Sequence, residues 1–337
     1  MTRFNLIRKE KQLSIEKAMA CIKKYNNFLI SAHTNPESDA LGSEFAFYNL
    51  LKKLGKGAII LNEDDIPPAC SAIFANVDIK IEKYKSNLSE IDFDCFVALD
   101  CADSKRTGEV YRINTRNKPV LNIDHHISNS MFGNINWVSS AASSCAEMIY
   151  MLYKRLGVPL DKETALFLYA GMLSDTGSFH YSNTTSFTHK AVSELLKYGL
   201  NITQIYKNIY EDIPYQDMKL LNKILLGMRR CAGGKVVIFE VKRNLLKNKK
   251  IIFDLPDEVL RFGRAIKDVE VVALFKENLG VKDEVRVNLR SQGNIDVNKI
   301  ASFFGGGGHK AASGATIKGK IEDVRKKVLA KISESLK

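Results

Sequence analysis

The stretch Pro119-Val120-Leu121-Asn122-Ile123-Asp124-His125-His126 decides how this chain is read. Its first five residues are largely apolar, and a run of that length reads as a short buried strand. An aspartate and two adjacent histidines then emerge at the strand's carboxyl end. In a parallel α/β sheet that end is where ligand sites are built. Such a triplet is a poor choice for a core and a good one for a divalent cation. Alone it is a weak signal; its setting makes it strong.

Outward from the triplet, short apolar runs alternate with helical patterns. Residues 14–25 read as a helix and 28–32 as a strand. Residues 40–54 have helical spacing, with Leu41, Phe45, Tyr48 and Leu51 on one face. Strands are expected at 58–61, 95–99 and 119–123, and helices at 144–156 and 162–173. This alternation predicts an α/β fold, a doubly wound and mostly parallel sheet with helices on both faces. Residues 191–230 are helical in pattern, broken by Pro214. From Gly234 the texture changes, with strands expected at 235–241, 269–275 and 284–289 and helices at 296–304 and 322–336. The expected organisation is a metal-binding catalytic domain over 1–190, a helical linker over 191–230 and a smaller C-terminal α/β domain over 231–337, across a cleft from the first.

The 337 residues favour two domains over one, and a hydrophobic share of 45% is enough for sizeable cores. No apolar stretch approaches the roughly 20 residues of a membrane helix. The N-terminal MTRFNLIRKEKQ lacks the apolar segment of a signal peptide. The six cysteines show no C-x-x-C pairing. They fit a reducing cytoplasm, with no membrane partner. The formal net charge of +12 serves solubility or draws in an anionic substrate such as a nucleotide or short nucleic acid. The basic residues are dispersed, apart from a lysine-rich stretch at 247–250, so long-duplex binding gains little support.

Four clusters follow apolar segments: His33-Thr34-Asn35-Pro36-Glu37-Ser38-Asp39, then Asp100 after Leu99, then the Asp124-His125-His126 triplet, then Asp175 after the apolar helix at 165–173. Oxygen and imidazole donors of this mix suit Mn²⁺ or Mg²⁺, with Zn²⁺ or Co²⁺ as alternatives. The candidate ligands are too many for one ion with open positions. They suit two ions roughly 3.5–4 Å apart, bridged by one carboxylate. Each cluster has a plainer explanation. His33 reads equally as a satisfied strand-end histidine, Asp39 as the cap of a helix beginning at Ala40, Asp100 as a turn and Asp175 as a helix end. That all four stand where a doubly wound sheet builds its site favours metal. His180 and His189 have no such context and read as structural or exposed.

The order H-x-x-P-x-x-D, a lone aspartate, D-H-H, and an aspartate in Gly171-Met-Leu-Ser-Asp-Thr-Gly177 resembles the DHH phosphoesterases. Residues 297–309, ending in Gly-Gly-Gly-Gly-His309, resemble the DHH-associated C-terminal domain. The resemblance spans nearly the whole chain. Length and spacing are most similar to the branch of short-oligoribonucleotide hydrolases, or nanoRNases, that also act as 3′-phosphoadenosine 5′-phosphate phosphatases. The resemblance implies two divalent ions, Mn²⁺ foremost with Mg²⁺ or Co²⁺ as alternatives. One ion would be held by His33, the carboxylate of Glu37 and Asp100, the other by Asp39, Asp100, His125 and Asp175, with Asp100 the bridge. Asp124 would orient a histidine, and His126 would face the scissile phosphate. Glu37 departs from the family, which usually has aspartate there; the added methylene puts metal affinity or preference at that position in doubt.

A run of four glycines, Gly305 to Gly308, is out of context a flexible linker. Here it follows the amphipathic pattern Val297, Ile300, Ala301, Phe304 and precedes His309, and successive backbone amides can form an anion-binding concavity. The resemblance supports the second reading, with Gly306, Gly307, Gly308, His309 and Arg290 binding substrate from across the cleft. Arg264 and Arg106 are further candidates, since an arginine fork can bind phosphate through two hydrogen bonds; Arg264 reads equally as an exposed helix residue. Ser143 and Ser144 open a helix, where capping competes with phosphate binding.

The expected activity is two-metal phosphohydrolysis by in-line attack on phosphorus, without a covalent enzyme intermediate. The resemblance names the substrates as very short single-stranded RNA or dinucleotides, giving nucleoside 5′-monophosphates, and 3′-phosphoadenosine 5′-phosphate, giving AMP. It allows a homodimer. The rival enzyme reading is a phosphodiesterase for linear dinucleotides such as pApA or pGpG. The rival from another class is a metal-poor nucleotide-binding regulator, with Glu37 as a sign of decay.

Overall fold

Short apolar strands without charges must have both faces covered, which an open parallel sheet flanked by connections provides. The structure, a computed structural model, describes residues 3–75, 77–79, 81–85, 91–211, 213–246, 255–292 and 294–336. The lysine-rich stretch at 247–250 lies outside the described residues. The chain divides into two units, Met1–Glu211 and Asp212–Lys337.

The first unit runs α1 (Arg3–Lys24), β1 (Asn27–Ser31), α2 (Ser38–Lys53), β2 (Gly57–Asn62), α3 (Ser71–Phe74), β3 (Ile81–Lys83), β4 (Cys95–Leu99), β5 (Val120–Asp124), β6 (Ile135–Val138), α4 (Cys145–Leu156), α5 (Lys162–Asp175), α6 (Ser186–Leu196) and α7 (Ile202–Tyr210). Its sheet has six parallel strands in the order β3-β2-β1-β4-β5-β6. The order reverses between β1 and β4, and such a switch point opens a crevice at the strands' carboxyl ends.

Alternate strand residues point to opposite faces. Phe28, Ile30, Val97, Leu99, Leu121 and Ile123 pack against α1, α2, α4 and α5. Leu29, Phe96, Ala98 and Val120 face the other way, onto Val110, Tyr111, Ile113 and Phe132. Both faces are covered, but among the described residues the expected α-helices lie on only one. The β4–β5 connection is a 3₁₀ stretch, Ser104–Ile113, interrupted at Gly108 with φ 63°. Its Ser-Lys-Arg-Thr-Gly-Glu segment lacks the apolar period that would make an amphipathic α-helix. β3 and β6 are edge strands of three and four residues, too short to announce themselves in the sequence.

The second unit runs α8 (Tyr215–Leu226), β7 (Arg229–Cys231), β8 (Val236–Val241), α9 (Arg243–Leu246), α10 (Leu255–Arg264), β9 (Val271–Glu277), β10 (Glu284–Ser291), α11 (Val297–Phe303), β11 (Gly307–Gly308), β12 (Ala312–Lys318) and α12 (Ile321–Ser335). The sheet order is β11-β12-β10-β9-β8-β7, antiparallel except for the β8–β9 pair. α11 and α12 cover one face and α8 and α10 the other. Of the helices that reach into 191–230, α6, which starts at Ser186, and α7 belong to the first unit and α8 to the second. The small residues Ala312, Ser313 and Gly314 open β12, whose Ala315 and Ile317 alternate toward the core. Among the described residues no helix is long and apolar enough to cross a membrane.

α2 is seated on α5 by an aromatic triad, with the Phe45 ring 5.1 Å from Phe167 and 5.5 Å from Phe74. All three side chains are fully buried. Phe167→Ala should therefore cost about 3–5 kcal/mol, read from the urea midpoint of the intact chain. A loss below about 1 kcal/mol would mean that the triad does not hold α2 in place.

Candidate metal centre

The carboxyl ends of β1, β4 and β5 deliver His33, Asp100 and the Asp124-His125-His126 triplet side by side. α2 contributes Asp39 from its first turn and α5 contributes Asp175 as its last residue. The chain leaves β4 through Asp100 in a left-handed conformation, φ 56°, while its amide still donates to the Ile123 carbonyl at 3.0 Å. Aspartate tolerates this region better than most residues, at a cost of about 1–2 kcal/mol.

His125 stands among three carboxylates. Its Nε2 is 3.3 Å from Asp100 Oδ1, 3.6 Å from Asp175 Oδ2 and 3.8 Å from Asp39 Oδ2. His33 Nε2 is 3.5 Å from Asp100 Oδ2, and His126 Nδ1 is 3.5 Å from Asp100 Oδ1. Asp100 thus touches every histidine of the cluster. Within the first unit, two groups bring one donor atom from each member within 4.8 Å of the others: Asp39, His125 and Asp175, and Asp100, Asp124 and His126.

These separations are longer than good hydrogen bonds. Asp100 Oδ1 is buried and forms none. A buried carboxylate oxygen without a donor is costly, and a cation among these oxygen and nitrogen donors would satisfy it. The donor set suits Mn²⁺ or a similar divalent ion, so the residues fit the implied metal.

The supports are specific. Asp39 accepts the first amides of α4, from Cys145 at 2.7 Å and Ala146 at 2.9 Å. Ser144 caps that helix by accepting the Glu147 amide at 3.0 Å. The helix N-terminus is therefore taken by Asp39 and Ser144, and the alternative of phosphate there is set aside. Asp39 does not cap α2; Glu37 occupies that position, with no side-chain hydrogen bond. Asp124 accepts from His126 Nδ1 at 2.7 Å and from Asn129 at 2.6 Å. The histidine that it orients is thus His126. Asn183 donates to the Asp175 carbonyl at 3.0 Å and to the Ser143 carbonyl at 2.8 Å. A Cβ on Gly171 would fall 2.8 Å from Asp39 Oδ1 and 2.6 Å from Ala146 Cβ, so only glycine lets α5 come this close.

Glu37 is exposed and is not in either gathered group. Arg106 is exposed on the 3₁₀ stretch; its carbonyl accepts the Thr34 amide at 2.7 Å, and its charge bears on His33. His180 and His189 are exposed. In the second unit, Arg290 on β10 is half-buried and pairs with Asp257 of α10 at 3.3 Å. Arg264 lies two turns beyond Asp257 on the same helix face. The glycine run is ordered: Gly307 and Gly308 pair with Gly314 and Ser313 of β12. A Cβ on Gly306 would lie 2.1 Å from the Gly314 carbonyl. His309 follows, its amide donating to the Ala312 carbonyl at 2.7 Å.

Several supports escaped the sequence reading. Asp64 accepts the Asn35 amide at 2.8 Å and Glu63 accepts the Glu109 amide at 2.6 Å, so both fix loops beside the site. They follow the apolar strand β2, the same signal that marked the other clusters. Asn129 and Asn183 lack such a signal; Gly171 stands in the motif around Asp175, and its closeness to Asp39 is set by the packing of α5 against α2.

Burial, with repulsion from Asp100, pushes Asp39 up to about 7. Burial also pushes Asp175 up to about 7, with Asp39 and Asp100 adding to the effect against the pull of His125. Burial opposes the charge on His125, but Asp175, Asp100 and Asp39 hold its pKa well above the ordinary value. Burial likewise opposes the charge on Asp100, yet His125, His33 and His126 keep it well below the usual range.

The chain is similar to known proteins. The DHH family, N-terminal domain, matches residues 27–172, and the DHHA1 domain matches residues 233–337. A bifunctional oligoribonuclease and PAP phosphatase NrnA of Thermus thermophilus is 31% identical over 309 residues, 91% of this chain and 89% of that protein. The protein of the same name in Bacillus subtilis is 29% identical over 299 residues, 88% of this chain and 91% of that one. An exopolyphosphatase-related protein from Bacteroides fragilis shares the fold with a TM-score of 0.83 at 24% identity, covering 96% of this chain and 97% of that one.

The raised carboxyls have a measurable consequence. Between 3.8 and about 7 the folded chain holds more protons on Asp39 and Asp175 than the unfolded chain does. Their contribution to stability therefore declines as pH rises through that window. A cation must displace those protons, so Mn²⁺ affinity should climb by about tenfold or more from about pH 5.5 to about pH 8, with proton release on binding. Calorimetry showing a flat affinity would remove these two carboxyls from the centre.

Proposed function

Because this chain belongs to the DHH family and carries the DHHA1 domain in its second half, we propose that it is a metal-dependent phosphohydrolase that degrades very short oligoribonucleotides to nucleoside 5′-monophosphates and dephosphorylates 3′-phosphoadenosine 5′-phosphate to AMP. The observation that carries this reading is the convergence of three histidines on the buried carboxylate of Asp100 at the switch point of the sheet.

His33, Glu37 and Asp100 would hold one divalent cation, and Asp39, Asp100, His125 and Asp175 a second, with Mn²⁺ the ion proposed. Such cations supply Lewis acidity toward phosphoryl oxygens. Asp124 accepts from Nδ1 of His126, so the ring offers Nε2 to a phosphate oxygen and is positioned to hold a proton there. In the second unit Arg290, His309 and the amides of Gly306 to Gly308 would bind a phosphate or nucleotide end, with Arg264 and Arg106 as further cationic contacts. The formal charge of +12 favours anionic substrates. All six cysteines are free, which agrees with a cytoplasmic setting.

The experiment is turnover with Mn²⁺ on 3′-phosphoadenosine 5′-phosphate, pApA, pGpG, RNA of increasing length and pyrophosphate. Release of AMP from the first, and of mononucleotides from the shortest RNAs only, supports the reading; activity confined to pyrophosphate or to pGpG overturns it. Asp100→Ala should abolish turnover, a loss of about 10³-fold or more, while circular dichroism stays unchanged. Near-normal turnover of that variant would sink the assignment of Asp100.

Remote contacts place the reacting phosphate, so their loss shows in turnover as well as affinity. Arg290→Ala or His309→Ala should cost about 10²-fold on dinucleotides and little on an activated featureless phosphodiester. Equal losses on both would place these residues in folding or in the metal site instead.

A further inference from the structure

Glu44 is a buried carboxyl that the chemistry proposed above does not use. It lies on α2 with no exposed surface. Its Oε2 accepts a hydrogen bond from Asn62 Nδ2 at 2.8 Å, and its Oε1 is buried with no hydrogen-bond partner. A half-satisfied acid in a core costs stability, and an apolar residue of similar size would be the cheaper choice there.

Asn62 ends β2 and is itself buried. Its Oδ1 accepts the Ala32 amide at 3.2 Å and the Ser31 hydroxyl at 3.3 Å. Ala32 is the residue before His33. An asparagine amide has nearly the same shape when flipped, so its neighbours must choose its orientation. If the amide turned over, NH₂ would face the Ala32 N–H, two donors together. Glu44 accepts from the NH₂ side and so selects the orientation in which Oδ1 serves β1. Burial pushes Glu44 up to about 8, so its neutral acid form can make this contact without a buried charge.

We propose that Glu44 is a positioning residue, which, by fixing the direction of the Asn62 amide, holds the end of β1 and with it His33 in place for a divalent cation. Because Glu44 and Asp39 share α2, the same contact sets the strand carrying His33 against the helix carrying Asp39. The inference rests on the reading of His33 as a metal ligand.

The test compares Glu44→Gln, Glu44→Asp and Glu44→Met with wild type and with His33→Ala, on the full chain. The readouts are a Mn²⁺ binding isotherm and hydrogen exchange of the Ala32 amide without metal. Gln retains an acceptor at the right reach and should bind Mn²⁺ within about threefold of wild type, whereas Met should weaken binding by about tenfold or more and Asp by less. Ala32 should exchange faster in the Met and Asp variants and not in the Gln variant. Wild-type binding and exchange in both Met and Asp variants would overturn the proposal, as would a Gln variant as impaired as Met. If the Met variant does not fold, the contrast between Asp and Gln decides alone. If His33→Ala binds Mn²⁺ as wild type does, the metal reading of His33 fails; if it weakens binding while the Glu44 variants do not, the positioning role alone fails.

Discussion

The first unit is organised around the burial of like charges. Asp39, Asp100 and Asp124 are buried and Asp175 is half-buried, all within the reach of one histidine pair. Two unit charges about 4 Å apart repel by about 4 kcal/mol at the effective dielectric of a protein near its surface. A fold that gathers four such groups must offset that repulsion from outside the group. Asp100 draws on three histidines, Asp39 on the N-terminus of α4, and Asp124 on Asn129 and His126. Asp39 and Asp175 remain raised even so. Positive charge at the centre would relieve both at once.

The parallel sheet makes this gathering feasible. Strands β1, β4 and β5 are adjacent and aligned, so residues just past their ends meet without long loops. Asp100 adds a left-handed step that turns the chain off the sheet at the point where its carboxylate is needed. α4 then brings two backbone amides to Asp39, a use of a helix N-terminus that places partial positive charge beside a carboxylate. α5 reaches the same carboxylate only because Gly171 has no side chain.

Much of this was legible in the chain because the relevant signals are local. Each of β1, β4 and β5 ends an apolar run with His33, Asp100 or the triplet, and period and polarity change within two residues. The second unit's long strands and α11 were visible for the same reason. What was hidden depends on contacts that only the folded chain makes. The 3₁₀ cover of one sheet face has no apolar period; its place is set by the Phe96–Tyr111–Phe132 contacts, which join three separate segments. β12 begins with small residues that resemble loop until β10 is laid beside it. Asn62, Asn129 and Asn183 look like ordinary loop or strand-end amides, and their roles follow only from what the fold sets opposite them.

Glu37 stands apart from the other candidate ligands in how it is held. His33 is buried at a strand end with Nδ1 engaged by the Thr34 carbonyl at 2.8 Å, and Asp39, Asp124 and Asp175 each have neighbours that fix them. Glu37 is exposed at the start of α2 and its side chain makes no capping bond. An extra methylene in a packed pocket strains its neighbours by about 1–3 kcal/mol. At an exposed loop-to-helix junction it changes reach and little else. A carboxylate at position 37 can therefore carry the extra methylene without crowding, whereas at position 39 it would be costly, because Gly171 and the α4 amides already surround the side chain.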